Sequence, residues 1–381
     1  MKKTIILGIS ALVLSLTSVV KADMTLSGYQ EFFAGSADQT AYQGLANHGL
    51  DLAGMSNGFY GRVDANYSTT LDNGIEVSGT YNVHARDCTA SSNTAAGAAT
   101  NHAGNCNVVD FNFVSFSGGF GTISIGERFD SGAAMLSRLT AAAPTGEPDG
   151  AVISSFYSGD PDNTFGNGNE VNYASAALKA VYMSNVFSGF SFAVGVTPNS
   201  GEKGGDGTSG QVGSGTSWGA YNDVLSVHGK YAMEMDGIGL ELVYGQQTGN
   251  AGRIGTVDYN DLEETSYSAL VTYGNFKADY RKNEAGNSGL AKNGNAGGNE
   301  GTSICALYSM GNIGLGACQV STSFTDANNL SNSSETRTYS ADYSLGGGVS
   351  LGVVYFDVEQ TANSVTRTDV DGIATKLSIG F

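Results

Sequence analysis

The sequence predicts an all-β protein, a barrel of sixteen antiparallel strands that crosses a membrane. Three observations predict it. Apolar and polar residues alternate along most of the chain, whereas helical spacing is scarce. Short connections containing Gly and Asn take turns with long ones. All four prolines, Pro144, Pro148, Pro161 and Pro198, fall in long connections.

Composition sets the bounds. Of 381 residues 55 are Gly, 40% are hydrophobic and only 14% are charged. A helical membrane protein needs repeated apolar runs of about 18 or more residues, and none follows the first twenty residues. With 19 Tyr and 17 Phe the chain is too aromatic for a disordered polymer. A formal charge of −18 argues against a nucleic-acid partner.

The first segment reads as an address. Lys2 and Lys3 precede an apolar stretch over 5–20, and Val20 and Ala22 are the small residues of a cleavage site. The segment 1–22 is therefore expected to be a signal peptide cleaved after Ala22. Without it and its three lysines the chain has 359 residues and a formal charge of −21. It then meets an oxidising compartment.

Alternation defines the strands. Near the C-terminus Ile373, Thr375, Leu377, Ile379 and Phe381 alternate with Ala374, Lys376, Ser378 and Gly380. Val77, Tyr81, Val83 and Ala85 alternate with Ser78, Thr80, Asn82, His84 and Arg86. Phe276, Ala278 and Tyr280 alternate with Lys277, Asp279 and Arg281. Successive strand residues point to opposite faces, so each segment has one apolar and one polar face. The stretch 349–358 is apolar on both.

Short turns are expected at 71–74, 118–121, 185–189, 236–239, 274–275, 311–312 and 346–348, where Gly and Asn accept the positive φ of tight hairpins. Long connections are expected near 34–57, 87–107, 130–169, 198–222, 250–262, 284–301, 327–335 and 361–371. Together they join sixteen strands of about 9–13 residues, long enough to cross an apolar band about 25 Å tall. Proline cannot donate a ladder hydrogen bond, and an unmatched backbone group is costly in lipid. Its confinement to loops fits a membrane barrel.

Several motifs in order resemble the trimeric general-diffusion porins of Gram-negative outer membranes. They are Thr25-Leu26-Ser27-Gly28-Tyr29, Gly58-Phe59-Tyr60-Gly61 with Leu71-Asp72-Asn73-Gly74, Gly119-Phe120-Gly121-Thr122, Asn169-Glu170-Val171-Asn172-Tyr173 and the terminal Phe381. The sequence departs from that pattern at 176–185, ten residues inserted before Phe187-Ser188-Gly189-Phe190. The resemblance implies a homotrimer in the outer membrane, in contact with its lipid, and a Phe381 read by the barrel-assembly machinery. It also implies a third loop, 130–169, folded into the pore as its constriction. No cofactor, metal or catalytic residue is expected, and the protein is not read as an enzyme.

That loop carries Asp130, Glu147, Asp149, Asp160 and Asp162, with Arg138 as its one base. Alternation turns Arg62, Arg86, Arg128 and Lys376 inward if Val63, Ala85, Ile125 and Leu377 face lipid. Bases facing acids across a wet pore set up a transverse field. The alternative is that each base satisfies a local carboxylate in the wall. Asp258, Asp261, Glu263 and Glu264 add acid at a mouth against Arg253, which predicts a weak cation preference. His48, His84, His102 and His228 are scattered and read as structural.

Four cysteines allow three pairings. Cys88 and Cys106 bracket one loop. Cys305 and Cys318 flank the turn at 311–312, and a two-residue turn there places them directly opposite each other. Both pairs are expected to form disulfides. The leading function is a passive channel for small hydrophilic solutes and ions. A substrate-specific porin and a secreted all-β adhesin are the alternatives.

Overall fold

The computed structural model describes residues 23–39, 48–51, 60–85, 111–137, 139, 177–200, 221–251, 253–254, 257–292, 294, 297–325, 331–362 and 365–381. The expected signal peptide lies outside the described residues.

Sixteen strands form the barrel: β1 (Asp23–Gln39), β2 (Tyr60–Thr70), β3 (Glu76–Ala85), β4 (Asn112–Gly118), β5 (Gly121–Glu127), β6 (Leu178–Met183), β7 (Phe190–Asn199), β8 (Asn222–Met235), β9 (Ile238–Asn250), β10 (Leu262–Tyr273), β11 (Phe276–Gly286), β12 (Gly297–Met310), β13 (Ile313–Thr325), β14 (Ser331–Gly346), β15 (Val349–Ala362) and β16 (Val365–Gly380). Each pairs antiparallel with the next, and β16 returns to β1 through Tyr29↔Gly380 to Gln39↔Val370. The short segment His48–Asp51 extends the edge of β1. Arg253–Ile254 and Val257–Asp258 make a separate ribbon.

All seven expected turns are tight. At Asp236 and Gly237, φ is 53° and 78°, so the turn needs a residue that tolerates the left-handed region and a glycine beside it. Within the departure at 176–185, Leu178–Met183 form β6, and the following turn closes at Ser188 and Gly189 between the bridged Phe187 and Phe190.

Strand lengths differ from the expected 9–13 residues. β4, β5 and β6 have only 7, 7 and 6, whereas β1 has 17. Pro198, expected in a long connection, instead lies in β7, next to its last residue, and the connection expected over 361–371 is also corrected. β15 runs to Ala362 and β16 starts at Val365, so hydrogen bonding continues through most of that stretch. The polar outward residues there, such as Asp369 and Asp371, mimic a loop in sequence.

The chain's ends meet at the closure. Gly28 N–H donates to the Phe381 carbonyl at 2.9 Å, and Phe381 N–H donates back at 3.0 Å. A Cβ on Gly28 would lie 2.8 Å from Phe381 Cζ and 2.3 Å from the Arg62 carbonyl oxygen. Glycine at 28 therefore makes room for the chain's own terminal ring.

Directly opposed residues share a face, so the register carries one assignment around the barrel. Leu26, Val63, Val83, Phe192, Leu242, Leu315, Leu351 and Ile373 point outward and are exposed. Outward aromatic pairs include Phe190 with Tyr231, centroids 4.4 Å apart, and the near-parallel Tyr339 and Tyr355 at 6.4 Å. Towards the loop end the outer face turns polar. Gln319 Nε2 donates to Glu335 at 3.0 Å, and Arg337 bridges Glu335 and Asp357.

The two-sided apolar run at 349–358 now has a cause. Leu351, Val353 and Tyr355 face outward. Val354, Phe356 and Val358 face inward and join Phe33, Ala37, Val370 and Ala374 in a buried cluster on β15, β16 and β1.

Candidate functional site

After β5 the chain turns inside the barrel and follows the wall. Asp130 starts the helix α1 (Ser131–Met135) as its N-cap. Its Oδ1 accepts from Gly132 N–H at 2.9 Å and Ala133 N–H at 3.1 Å, satisfying donors that a helix start leaves orphaned. Its Oδ2 accepts from Gln247 Nε2 on β9 at 2.8 Å. Burial pushes the Asp130 pKa up, opposed by these hydrogen bonds and by Lys179.

Ser131 fastens the helix to β8, and His228 carries the link on to β10. Its hydroxyl donates to Ser226 Oγ at 2.7 Å, and His228 Nδ1 lies 3.0 Å from the same oxygen. With the Ser131 hydrogen already used, Nδ1 carries the imidazole hydrogen. Nε2 then accepts from Ser266 Oγ, also 3.0 Å away. The ring fits because position 245 is glycine: a Cβ there would sit 2.1 Å from His228 Cδ2. Gly195 likewise leaves space for Ser226 Oγ. Met135 and Leu136 pack on Ala193 and Val243.

Further along, Ser137 Oγ and Leu139 N–H both donate to Asp279 Oδ2 on β11, at 3.0 and 3.1 Å. Leu139 packs against Cys305 and Cys318. Those cysteines face each other across β12 and β13 and are joined by a disulfide, their Cα atoms 4.2 Å apart, in the register that the turn implies. The described start of the third loop thus crosses the inner wall from β7 to β13.

Of the expected constriction bases, Arg62, Arg128 and Lys376 are described. Arg62 pairs with Asp64 at 2.9 Å and lies over the Tyr29 ring, 5.4 Å from its centroid. Lys376 Nζ is 3.3 Å from Glu31. Arg128 stacks over Phe113 at 5.1 Å and donates to the Phe129 carbonyl at 3.3 Å. Burial lowers its pKa, with Asp130 opposing. Arg62 and Lys376 therefore have local carboxylates. Asp130 is buried as a helix cap instead of presenting its charge to open water. Glu264, expected at a mouth, is an inward wall residue only 2% exposed. Arg86, Glu147, Asp149, Asp160, Asp162, Cys88 and Cys106 lie outside the described residues.

The dock for α1 has no sequence motif. Its one signal is alternation: Ser226, His228, Gln247, Glu264, Ser266, Asp279 and Arg281 put polar groups on the inward face of four successive strands.

A closed sixteen-stranded barrel, apolar outside and carrying a loop along its inner wall, defines an outer-membrane barrel of the channel type. The chain belongs to the Gram-negative porin family, whose model matches residues 8–363. It is accordingly a channel protein of the Gram-negative outer membrane. Solved structures share the fold at low identity. An anion-selective porin from Comamonas acidovorans is 15% identical with a TM-score of 0.59, covering 95% of this chain and 100% of the other. Salmonella typhi OmpF in complex with daunomycin is 12% identical, TM-score 0.58, covering 94% and 97%. The trimer form of OmpT from Vibrio cholerae is 9% identical, TM-score 0.55, covering 94% and 99%. No curated protein matches the chain in sequence.

Proposed function

We propose that the protein is a homotrimer of water-filled channels passing small hydrophilic solutes and ions by passive diffusion, with a weak preference for cations. The carrying observation is the wall's charge arrangement. Arg62 and Lys376 are matched by Asp64 and Glu31, so these bases offer little net attraction to anions. The acids Glu147, Asp149, Asp160 and Asp162 of the loop 130–169 then bias the constriction, and Asp258, Asp261 and Glu263 bias the mouth. The matched bases include Arg62, so Arg86 and Arg128 carry most of the opposing field. Low-dielectric walls focus such fields in a narrow pore.

The assembled state follows the same reading. Residues 1–22 are removed on export, Phe381 is read during barrel assembly, and Gly61 and Ala65 allow close approach of a neighbouring wall. Planar-bilayer recordings test the whole. Three-step conductances and a reversal potential favouring cations are expected, the preference fading as screening shortens to about 3 Å at 1 M salt. Neutralising Glu147, Asp149, Asp160 and Asp162 together should move selectivity toward anions. An unchanged reversal potential refutes the constriction. N-terminal sequencing of the exported chain should begin at Asp23.

A further inference from the structure

Behind the first turn of α1 the wall holds a buried carboxyl group. Glu264 is 2% exposed, and neither of its side-chain oxygens makes a hydrogen bond. It stands directly opposite Gln247 in the β9–β10 register and diagonal to Asn283, whose buried Oδ1 also lacks a hydrogen bond. Gln247 donates through Nε2 to Asp130, and its buried Oε1, an acceptor, makes no hydrogen bond. An ionised carboxylate among acceptors is far costlier to bury than a neutral acid, which can donate to one.

The charges around it point the same way. Asp130 of the loop is close enough to repel a negative charge on Glu264. Arg281 on β11 attracts one, but Glu264 accepts no hydrogen bond from it; Arg281 donates to the Ser137 carbonyl and also faces Asp279. Lys179 on β6 acts on Asp130 and donates to the Arg128 carbonyl. On β8 His228 is bonded through both nitrogens to serines. Among the described residues no base is hydrogen-bonded to Glu264.

We propose that Glu264 is a positioning residue for the third loop: it carries a proton, donates it in a hydrogen bond to the flanking amide oxygens, and so keeps the Gln247 amide turned toward Asp130. Loss of that proton puts two anions on either side of one amide. Flipping the Gln247 amide to bring its NH2 to Glu264 turns Oε1 toward Asp130 and so removes the hydrogen bond from the cap of α1. The protonation of one wall residue thereby decides how firmly residues 128–139 sit. Its effect on conduction rests on the reading of the third loop as the narrowing element.

Two measurements on the full-length barrel in detergent test this. Infrared spectroscopy of the wild-type protein with 13C-labelled glutamate should show a protonated carboxyl C=O band at neutral pH. The band should bleach in alkali and be missing from Glu264→Gln. Absence of the band from the wild type overturns the proposal and needs no variant to fold. Hydrogen exchange of the peptide covering 128–139, corrected for intrinsic rates, should lose at least tenfold protection on the alkaline side. Glu264→Gln, a neutral mimic of the acid, should keep its protection over the same range. Equal loss in both proteins overturns the proposal. If exchange responds while single-channel conductance does not, the proton's role stands and the narrowing reading fails.

Discussion

Gly245→Ala is a small change with a large expected effect. The new methyl would lie 2.1 Å from His228 Cδ2, 2.3 Å from Cγ and 2.6 Å from Nε2. Ordinary carbon contacts are about 3.5–4.0 Å, so the ring must retreat by roughly 1.5 Å. The contacts to Ser131 and Ser266, both 3.0 Å now, would then exceed hydrogen-bonding distance. Two bonds at about 0.5–1.5 kcal/mol each and overpacking of about 1–3 kcal/mol give a local loss of about 2–6 kcal/mol. The barrel has its full ladder to hold it, so the loss should fall on the docking of α1. Hydrogen exchange over 128–139 should speed by tenfold or more, with the rest of β8 and β9 little changed. The double variant Gly245→Ala, His228→Ala should be less damaged than the sum of its parts, because the methyl then fills space the ring has left. Unchanged exchange in Gly245→Ala, or strict additivity in the cycle, would refute this seat for the ring.

Four further outcomes can be measured. Asp130→Ala should loosen α1 more than Asp130→Asn, since only the former strips every acceptor from Gly132 N–H, Ala133 N–H and Gln247 Nε2; cap losses are typically about 0.5–2 kcal/mol, read here as exchange of 128–139. Burial raises the Asp130 pKa above its ordinary 3.8, so the seated loop holds that proton more tightly than the released loop. In a Glu264→Gln background, seating should be firmest below 3.8 and weaken as pH rises through the raised value; protection that improves with pH would contradict this. Replacing Cys305 and Cys318 by Ser should lower the temperature at which the barrel unfolds on gels, with a loss of stability below the roughly 3 kcal/mol that a loop of about 15 residues gives in the entropy model, because the turn at 311–312 already sets the register. Mass spectrometry without reductant should also find Cys88 joined to Cys106.

Much of the barrel could be read from alternation because lipid enforces it. Outward Leu, Val, Ile and aromatic residues recur at every second position only where the wall meets hydrocarbon. Above that band the ladder continues without the constraint, so the polar start of β16 looks like loop, and Asp369 and Asp371 conceal strand continuity. Inside, the pattern fails for a different reason. A lumen side chain answers to water, to a wall partner or to the loop seated over it. Phe356 and Val358 are apolar because they are covered, and Asp130 is acidic because it caps a helix. In local sequence a capping acid differs from a pore-lining one only through its C-terminal neighbours: Ser131 and Gly132 start a turn whose N–H groups need an acceptor. The cysteine pair was legible because a two-residue turn converts sequence spacing directly into opposition.

The wall's ion pairs turn selectivity into a question of which partner is removed. Arg62 and Asp64 are 2.9 Å apart, and Lys376 and Glu31 3.3 Å. A passing ion several times farther away senses each pair as a weak dipole, not as a charge. Removing the acid unmasks the base, and removing the base unmasks the acid, so each half of a pair should move selectivity in the opposite sense. Asp64→Asn with Glu31→Gln should shift the reversal potential toward anions. Arg62→Gln with Lys376→Gln should shift it toward cations by a similar amount. All four together should return it close to the wild type, since two absent dipoles differ little from two weak ones. Both shifts should shrink at 1 M salt, where the Debye length is about 3 Å. If the base double variant moves selectivity while the acid double variant leaves it unchanged, the bases act on the lumen alone, the pairs do not cancel, and the cation preference must come from elsewhere.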